Sequence, residues 1–163
     1  MNDAQRFKPH VTVAAIIERD GRFLLVEEHT ARGLCLNNPA GHLEPAESLV
    51  QGCVREVLEE TAHDFVPTAL SGIYLSDFPQ HDAALHGDLA ARTHYLRFAF
   101  VGDLGACHAA QPLDSGIVRT VWLSLDEVRS CPNLRSPLVL RCIEDYALGQ
   151  RYPLAMLHLV AVD

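Results

Sequence analysis

Positive charge is scarce in this sequence. Thirteen Lys and Arg stand against 21 Asp and Glu, a formal net charge of −8. The clustered cations that hold a nucleic-acid backbone are therefore missing, and no nucleic-acid polymer is expected as a partner. The cysteines Cys35, Cys53, Cys107, Cys131 and Cys142 are odd in number, scattered and without a C-x-x-C pair. That argues against a disulfide framework or a structural zinc site. Reduced thiols are expected, with Cys53 and Cys142 as small buried apolar groups. The opening MNDAQRFKPH has no apolar signal-peptide core, and no apolar run approaches the roughly 20 residues that span a bilayer. The expectation is a cytoplasmic protein that does not enter a membrane, as a monomer or a homodimer.

What is present suits a globular chain. Its 163 residues are 48% hydrophobic, enough for a sizeable core, and their number fits a single domain over 1–163. Val11, Val13 and Ala15 alternate, Asp20-Gly21 supplies a turn, and Phe23 to Val26 returns, which reads as a hairpin. LCLNNPAG reads as a short strand ending in a loop. Further strands are expected near Ala69–Leu75, His94–Val101 and Ile117–Leu123. A helix is expected from about Pro45 to Ala62. Ser124 with Glu127 signals a capped helix start, and a last helix runs from Ser136-Pro137 to Gly149. Strands interspersed with helices predict an α/β fold, a mixed sheet with helices on both faces. The stretch Asp77–Arg92 lacks periodicity and reads as a loop. Its His81, Asp82, His86 and Asp88 are candidate metal ligands, with a solvated polar loop as the plain alternative.

The segment GHLEPAESLVQGCVREVLEETAHD, Gly41 to Asp64, crowds five glutamates around one arginine. Val50, Val54, Val57, Leu58 and Thr61 fall on one helical stripe. At about 100° per residue, Glu56, Glu59 and Glu60 fall within an arc of about 100° on the other side. Like charges one turn apart repel, and acids near a helix end oppose its dipole. A solvated acidic face and a divalent-cation site are both open on spacing alone. Hard ions such as Mg²⁺ and Mn²⁺ prefer such oxygen ligands, and Mg²⁺ keeps waters that substrate phosphates can displace. Bridging cations would also let a negative protein hold a polyphosphate.

Gly41, five residues, Glu47, seven residues, then Arg55-Glu56-Val57-Leu58-Glu59-Glu60 resembles the Nudix box, G-x5-E-x7-R-E-U-x-E-E-x-G-U with U bulky and aliphatic. Ala62 stands where the last glycine belongs, and His63 where an aliphatic residue belongs. An alanine in the left-handed conformation costs about 1 kcal/mol unless the helix ends differently. FKPHVTVA, NLRSPLV and GQRYPL look like the NudJ-type branch of nucleotide phosphatases. The resemblance implies a Nudix α/β/α sandwich and an Mg²⁺-dependent (or Mn²⁺-dependent) phosphohydrolase. Its substrate would be a nucleoside di- or triphosphate or a small pyrophosphate, a thiamine-precursor pyrophosphate included. By the same resemblance Glu56, Glu59, Glu60 and the carbonyl of Ala40 hold the metal. Glu56 matches the base proposed in some relatives, and Glu56, Arg55 and Glu59 form the catalytic set. Arg55 orients the glutamates, with Glu47 as another partner, while Gly41 shapes the backbone beside the metal. Nucleotide sugars, dinucleotide polyphosphates or oxidised nucleotides are alternative substrates, and a non-catalytic Nudix-like nucleotide-binding module is the alternative role. Arg97, Tyr95, Phe78, Arg135 and Arg151 are weaker candidates for substrate contact.

Overall fold

The computed structural model describes residues 7–79 and 92–160. His81, Asp82, His86 and Asp88 lie outside them. The elements run β1 (His10–Ile16), β2 (Glu18–Arg19), β3 (Arg22–Thr30), β4 (Gly33–Asn37), β5 (Ala40–His42), α1 (Leu49–Thr61), β6 (His63–Pro79), β7 (Arg92–Cys107), β8 (Ile117–Ser124), α2 (Leu125–Arg129) and α3 (Pro137–Ala147). A turn of 3-10 helix follows at Leu154–Met156. Among the described residues no helix is long and apolar enough to cross a membrane.

The expected mixed sheet forms, and a second four-stranded sheet accompanies it. The first has the order β5-β1-β7-β6, with β1 parallel to β7 and its other pairs antiparallel. The second is antiparallel, with β3 pairing β2, β4 and β8. The expected hairpin is correspondingly shorter. Asp20 and Gly21 both have positive φ, 53° and 75°, the pattern of a type I′ turn, but they join β2 to β3. β1 belongs to the other sheet, because the chain changes sheets at Ile17. Asp77 to Pro79, expected in a loop, continue β6, whose bulges absorb its length against β7.

The first sheet presents a core on each face. Val13, Ala15, Ile17 and Phe100 pack with Cys53 and Val57 of α1. Ile16, Ala99 and Val101 pack with Val139, Cys142 and Ile143 of α3 and Val128 of α2. This is the alternation of a strand buried on both sides. All five cysteines are free, and Cys53 and Cys142 are buried as expected.

α1 starts later than its apolar pattern suggests. Ser48 caps it and Gln51 reaches back to the Ser48 amide, a complete capping box, while Pro45-Ala46 form a preceding turn. Ala62 ends the helix at φ 57°, ψ 32°, its amide donating to the Leu58 carbonyl. The helix thus ends as a glycine would end it, and alanine bears the steric cost. Ala46 (φ 68°) carries the same strain with its methyl in solvent. Ala46→Gly is expected to raise Tm by about 2–4 °C in a chain of this size, read by thermal melting. At Ala62 the gain is smaller, because the buried methyl is lost as well.

Candidate active site

The loop before α1 and the helix itself fold around one guanidinium. Arg55 Nε and Nη2 donate to Glu47 Oε2 and Oε1 at 3.0 and 2.8 Å, a two-pronged pair. Nη2 also donates to the His42 carbonyl at 3.0 Å. Nη1 donates to Glu56 Oε1 at 2.8 Å and to Glu59 Oε2, one turn on, at 2.9 Å. All five donors the side chain possesses are satisfied. Charge-assisted bonds of this kind fix orientation as well as lending stability. Glu47 in turn accepts from the Glu44 amide at 2.7 Å, and the Arg55 guanidinium holds its carboxyl below the usual range.

The glutamates do not project away from the fold. Glu56 and Glu60 are buried, 8% and 7% exposed, alongside Gly52, Cys53, Val57 and Thr61, whereas Val50, Val54 and Leu58 are only half-buried. The buried stripe of α1 is therefore rotated toward the acids. Glycine makes this possible. A Cβ at Gly41 would overlap the Glu56 carboxylate, and one at Gly52 would lie 2.8 Å from Glu47 Oε1. Glu60 Oε2 accepts from the Ala40 amide at 2.8 Å. Ala40 is thus tied to the cluster through its N–H.

Two further carboxylates act on this cluster, and sequence spacing gives no sign of either. Asp114, whose amide donates to the Glu59 carbonyl at 2.9 Å, raises the proton affinity of both Glu56 and Glu60 through space. Glu28, from β3, does the same to Glu60. Burial pushes Glu56 upward, with Arg55 opposing. Burial, reinforced by Glu56, Glu28 and Asp114 and opposed by the Ala40 hydrogen bond, pushes Glu60 up to about 8.

That shift has a sign that can be tested. With the folded value of Glu60 at about 8 against an ordinary 4.5, the folded protein binds the extra proton. Stability from this group is complete below about pH 4.5 and is lost as pH rises toward 8. In EDTA, Glu60→Gln is expected to remove this loss, on the order of 3–5 kcal/mol between pH 5 and 8. Denaturant titrations of parent and variant at the two pH values measure it. Equal losses in both would mean that Glu60 is not held as a buried acid.

Among the described residues no three His, Cys, Asp or Glu side chains already form a converged metal cage. Arg55 spans Glu56 and Glu59, and Glu60 is drawn to Ala40. The donor set nevertheless fits a hard cation, because buried, proton-hungry carboxylates with negative neighbours are what a divalent charge would relieve.

The weaker candidates separate. Arg151 stacks on Tyr146 at 4.0 Å and bonds backbone carbonyls at the C-terminal end of α3, away from this cluster. Arg135 Nε lies 3.7 Å from Glu28 Oε1. Tyr95 packs against the His10 ring at 5.4 Å. The Phe78 side chain lies outside the described positions.

The chain is similar to known proteins over most of its length. The NUDIX domain model matches residues 7–140. The chain is 44% identical over 153 residues to Phosphatase NudJ of Escherichia coli strain K12, covering 93% of this chain and 92% of that one. A NUDIX hydrolase from Nitrosomonas europaea superposes with a TM-score of 0.83 at 50% identity, covering 94% of this chain and 98% of that one. The NUDIX domain of Shewanella oneidensis NrtR, complexed with ADP ribose, shares the fold at TM-score 0.68 and 17% identity, covering 91% of this chain and 93% of that one. The chain belongs to the NUDIX family and is a hydrolase of phosphoanhydride bonds.

Proposed function

We propose that the chain is an Mg²⁺-dependent phosphohydrolase of nucleoside di- and triphosphates or similar small pyrophosphates, a thiamine-precursor pyrophosphate included, with Mn²⁺ able to replace Mg²⁺. The observation that carries this reading is the single guanidinium binding Glu47, Glu56 and Glu59 at once, with buried Glu60 beside them. Glu56, Glu59 and Glu60, with the Ala40 carbonyl, would hold the cation. When bound, it would neutralise phosphate charge and make its water more acidic. Arg55 keeps the Glu56 and Glu59 carboxylates in one orientation. Glu56 Oε1 is engaged by Arg55, so Oε2 is the oxygen that takes the proton from the attacking water. The water oxygen would bond to phosphorus, and the bridging P–O bond would break with its electron pair leaving on the oxygen of the remaining nucleotide or organic phosphate. The curated relatives are named phosphatases, which supports attack at the terminal phosphorus and release of inorganic phosphate.

A panel of nucleotides and small pyrophosphates, assayed with Mg²⁺ and with EDTA, tests the reading. Inorganic phosphate from di- or triphosphates, in Mg²⁺ only, is the expected product. Turnover undiminished by EDTA would overturn it, and so would products confined to cleaved nucleotide sugars or dinucleotides.

A further inference from the structure

β5 is the end strand of the first sheet. Pro39 and Leu43, on either side of it, turn backbone groups toward β1: the Pro39 carbonyl accepts from the Ala15 amide at 2.9 Å, and the Leu43 amide donates to the Val11 carbonyl at 3.0 Å. Ala40 and His42 therefore turn theirs off the free edge. The acid cluster meets them there, the Ala40 amide donating to Glu60 and the His42 carbonyl accepting from Arg55. Side chains alternate along a strand, so Gly41 faces Glu56 and His42 faces the other side of the sheet. On that side His42 pairs with Thr12 in register, and His10 pairs with Tyr95. Ring centroids lie 5.5 Å apart for His10 and His42, 5.4 Å for His10 and Tyr95, and 6.2 Å for His42 and Tyr95. His10 and His42 are exposed and Tyr95 is half-buried. Arg97, next on this face of β7, stands in register with Thr12 and Tyr74. Helix α3 covers the face farther along, at Ile16, Ala99 and Val101.

We propose that His10, His42 and Tyr95 form a platform on which a flat nitrogen heterocycle in the substrate's organic group stacks. The assignment rests on the hydrolase reading above. A diphosphate held at Glu56, Glu59 and Glu60 lies along the free edge of β5, and its organic group leaves that edge beside the His42 ring. A flat π ring stacks on such side chains whatever its pattern of hydrogen-bonding groups, whereas an alkyl group gains contact area alone. The platform therefore favours substrates that carry a ring without choosing among nucleobases. His42 links the two parts of the site, its carbonyl holding Arg55 and its side chain meeting the organic group.

Calorimetry on the whole chain in saturating Ca²⁺ tests this with three non-hydrolysable ligands. They are α,β-methylene-ADP, its analogue with a pyrimidinylmethyl group in place of adenosine, and methylenediphosphonate, which has no organic group. The parent is expected to bind a ring-bearing ligand more tightly than methylenediphosphonate. His42→Leu and Tyr95→Leu, with similar bulk but no π face, weaken that ligand about 10- to 100-fold and methylenediphosphonate far less. His10→Leu, outside the Arg55 contact, acts in the same direction, and Tyr95→Phe keeps most of the affinity that Tyr95→Leu loses. Of the two ring-bearing ligands, the one whose affinity depends on His42 names the source of the ring. Parental affinity for both of them in the Leu variants overturns the assignment. So does an equal loss for all three ligands, which marks the rings as support for the His42–Arg55 contact. If a ring-bearing ligand binds through His42 while no phosphoanhydride in the panel is hydrolysed, the proposed activity fails and the platform stands.

Discussion

Replacing Glu56 by Gln is expected to lower kcat for phosphate release by about 10²–10⁴-fold, the range a positioned base contributes, with the fold kept. Glutamine preserves the volume and can still accept from Arg55 Nη1 at the Oε1 position, where the parent bond is 2.8 Å. It lacks the negative charge and the basic oxygen. Because the change falls on a group used in the reaction more than in binding, kcat should fall while KM moves little. Steady-state rates on the best substrate, with circular dichroism for the fold, decide it. A variant as fast as the parent would remove Glu56 from the role of base.

The second large effect belongs to a residue with no side chain. Gly41→Ala is expected to cost about 10²-fold in kcat, because a new Cβ must overlap the Glu56 carboxylate, and displacement of about an ångström at a reacting group costs that much. Neither side can yield easily. Gly41 is paired to Val13 in the sheet, and Glu56 is held by Arg55. Shortening the acid in the double variant Gly41→Ala/Glu56→Asp should restore thermal stability but not rate. Gly52→Ala, whose Cβ would meet the ends of the Glu47 and Leu43 side chains at 2.8 and 3.1 Å, should be milder, about 10-fold. If Gly41→Ala kept the parent's rate, the close approach of backbone and carboxylate would have no part in function.

These two positions show how much of the site could be read in advance. The spacing of Gly41, Glu47, Arg55, Glu56, Glu59 and Glu60 is local, so a helical wheel and a family pattern were enough to group them. Which way the acids face was not local. The wheel placed them opposite a valine stripe, whereas absent side chains at Gly41 and Gly52 let the helix roll its carboxylates onto the β5 backbone. Asp114 and Glu28 arrive from distant strands and loops. In the fold, the Ser124-Glu127 cap and the Asp20-Gly21 turn were legible because each is decided within four residues. The change of sheet at Ile17 was not. Apolar residues run without interruption from Val13 to Ile17 because that strand is buried on both faces, so period alone cannot tell which partner a strand takes. The αL alanine at Ala62 shows the converse: the end of α1 kept its conformation though the residue best suited to it is absent.

Titrating Mn²⁺ into the protein and following the free ion by electron paramagnetic resonance tests most directly whether Glu56, Glu59 and Glu60 hold a divalent cation. The parent should deplete the free signal with saturation, Mg²⁺ should displace the bound ion, and the triple variant Glu56→Gln/Glu59→Gln/Glu60→Gln should leave the signal untouched. Equal uptake by parent and triple variant would contradict the assignment.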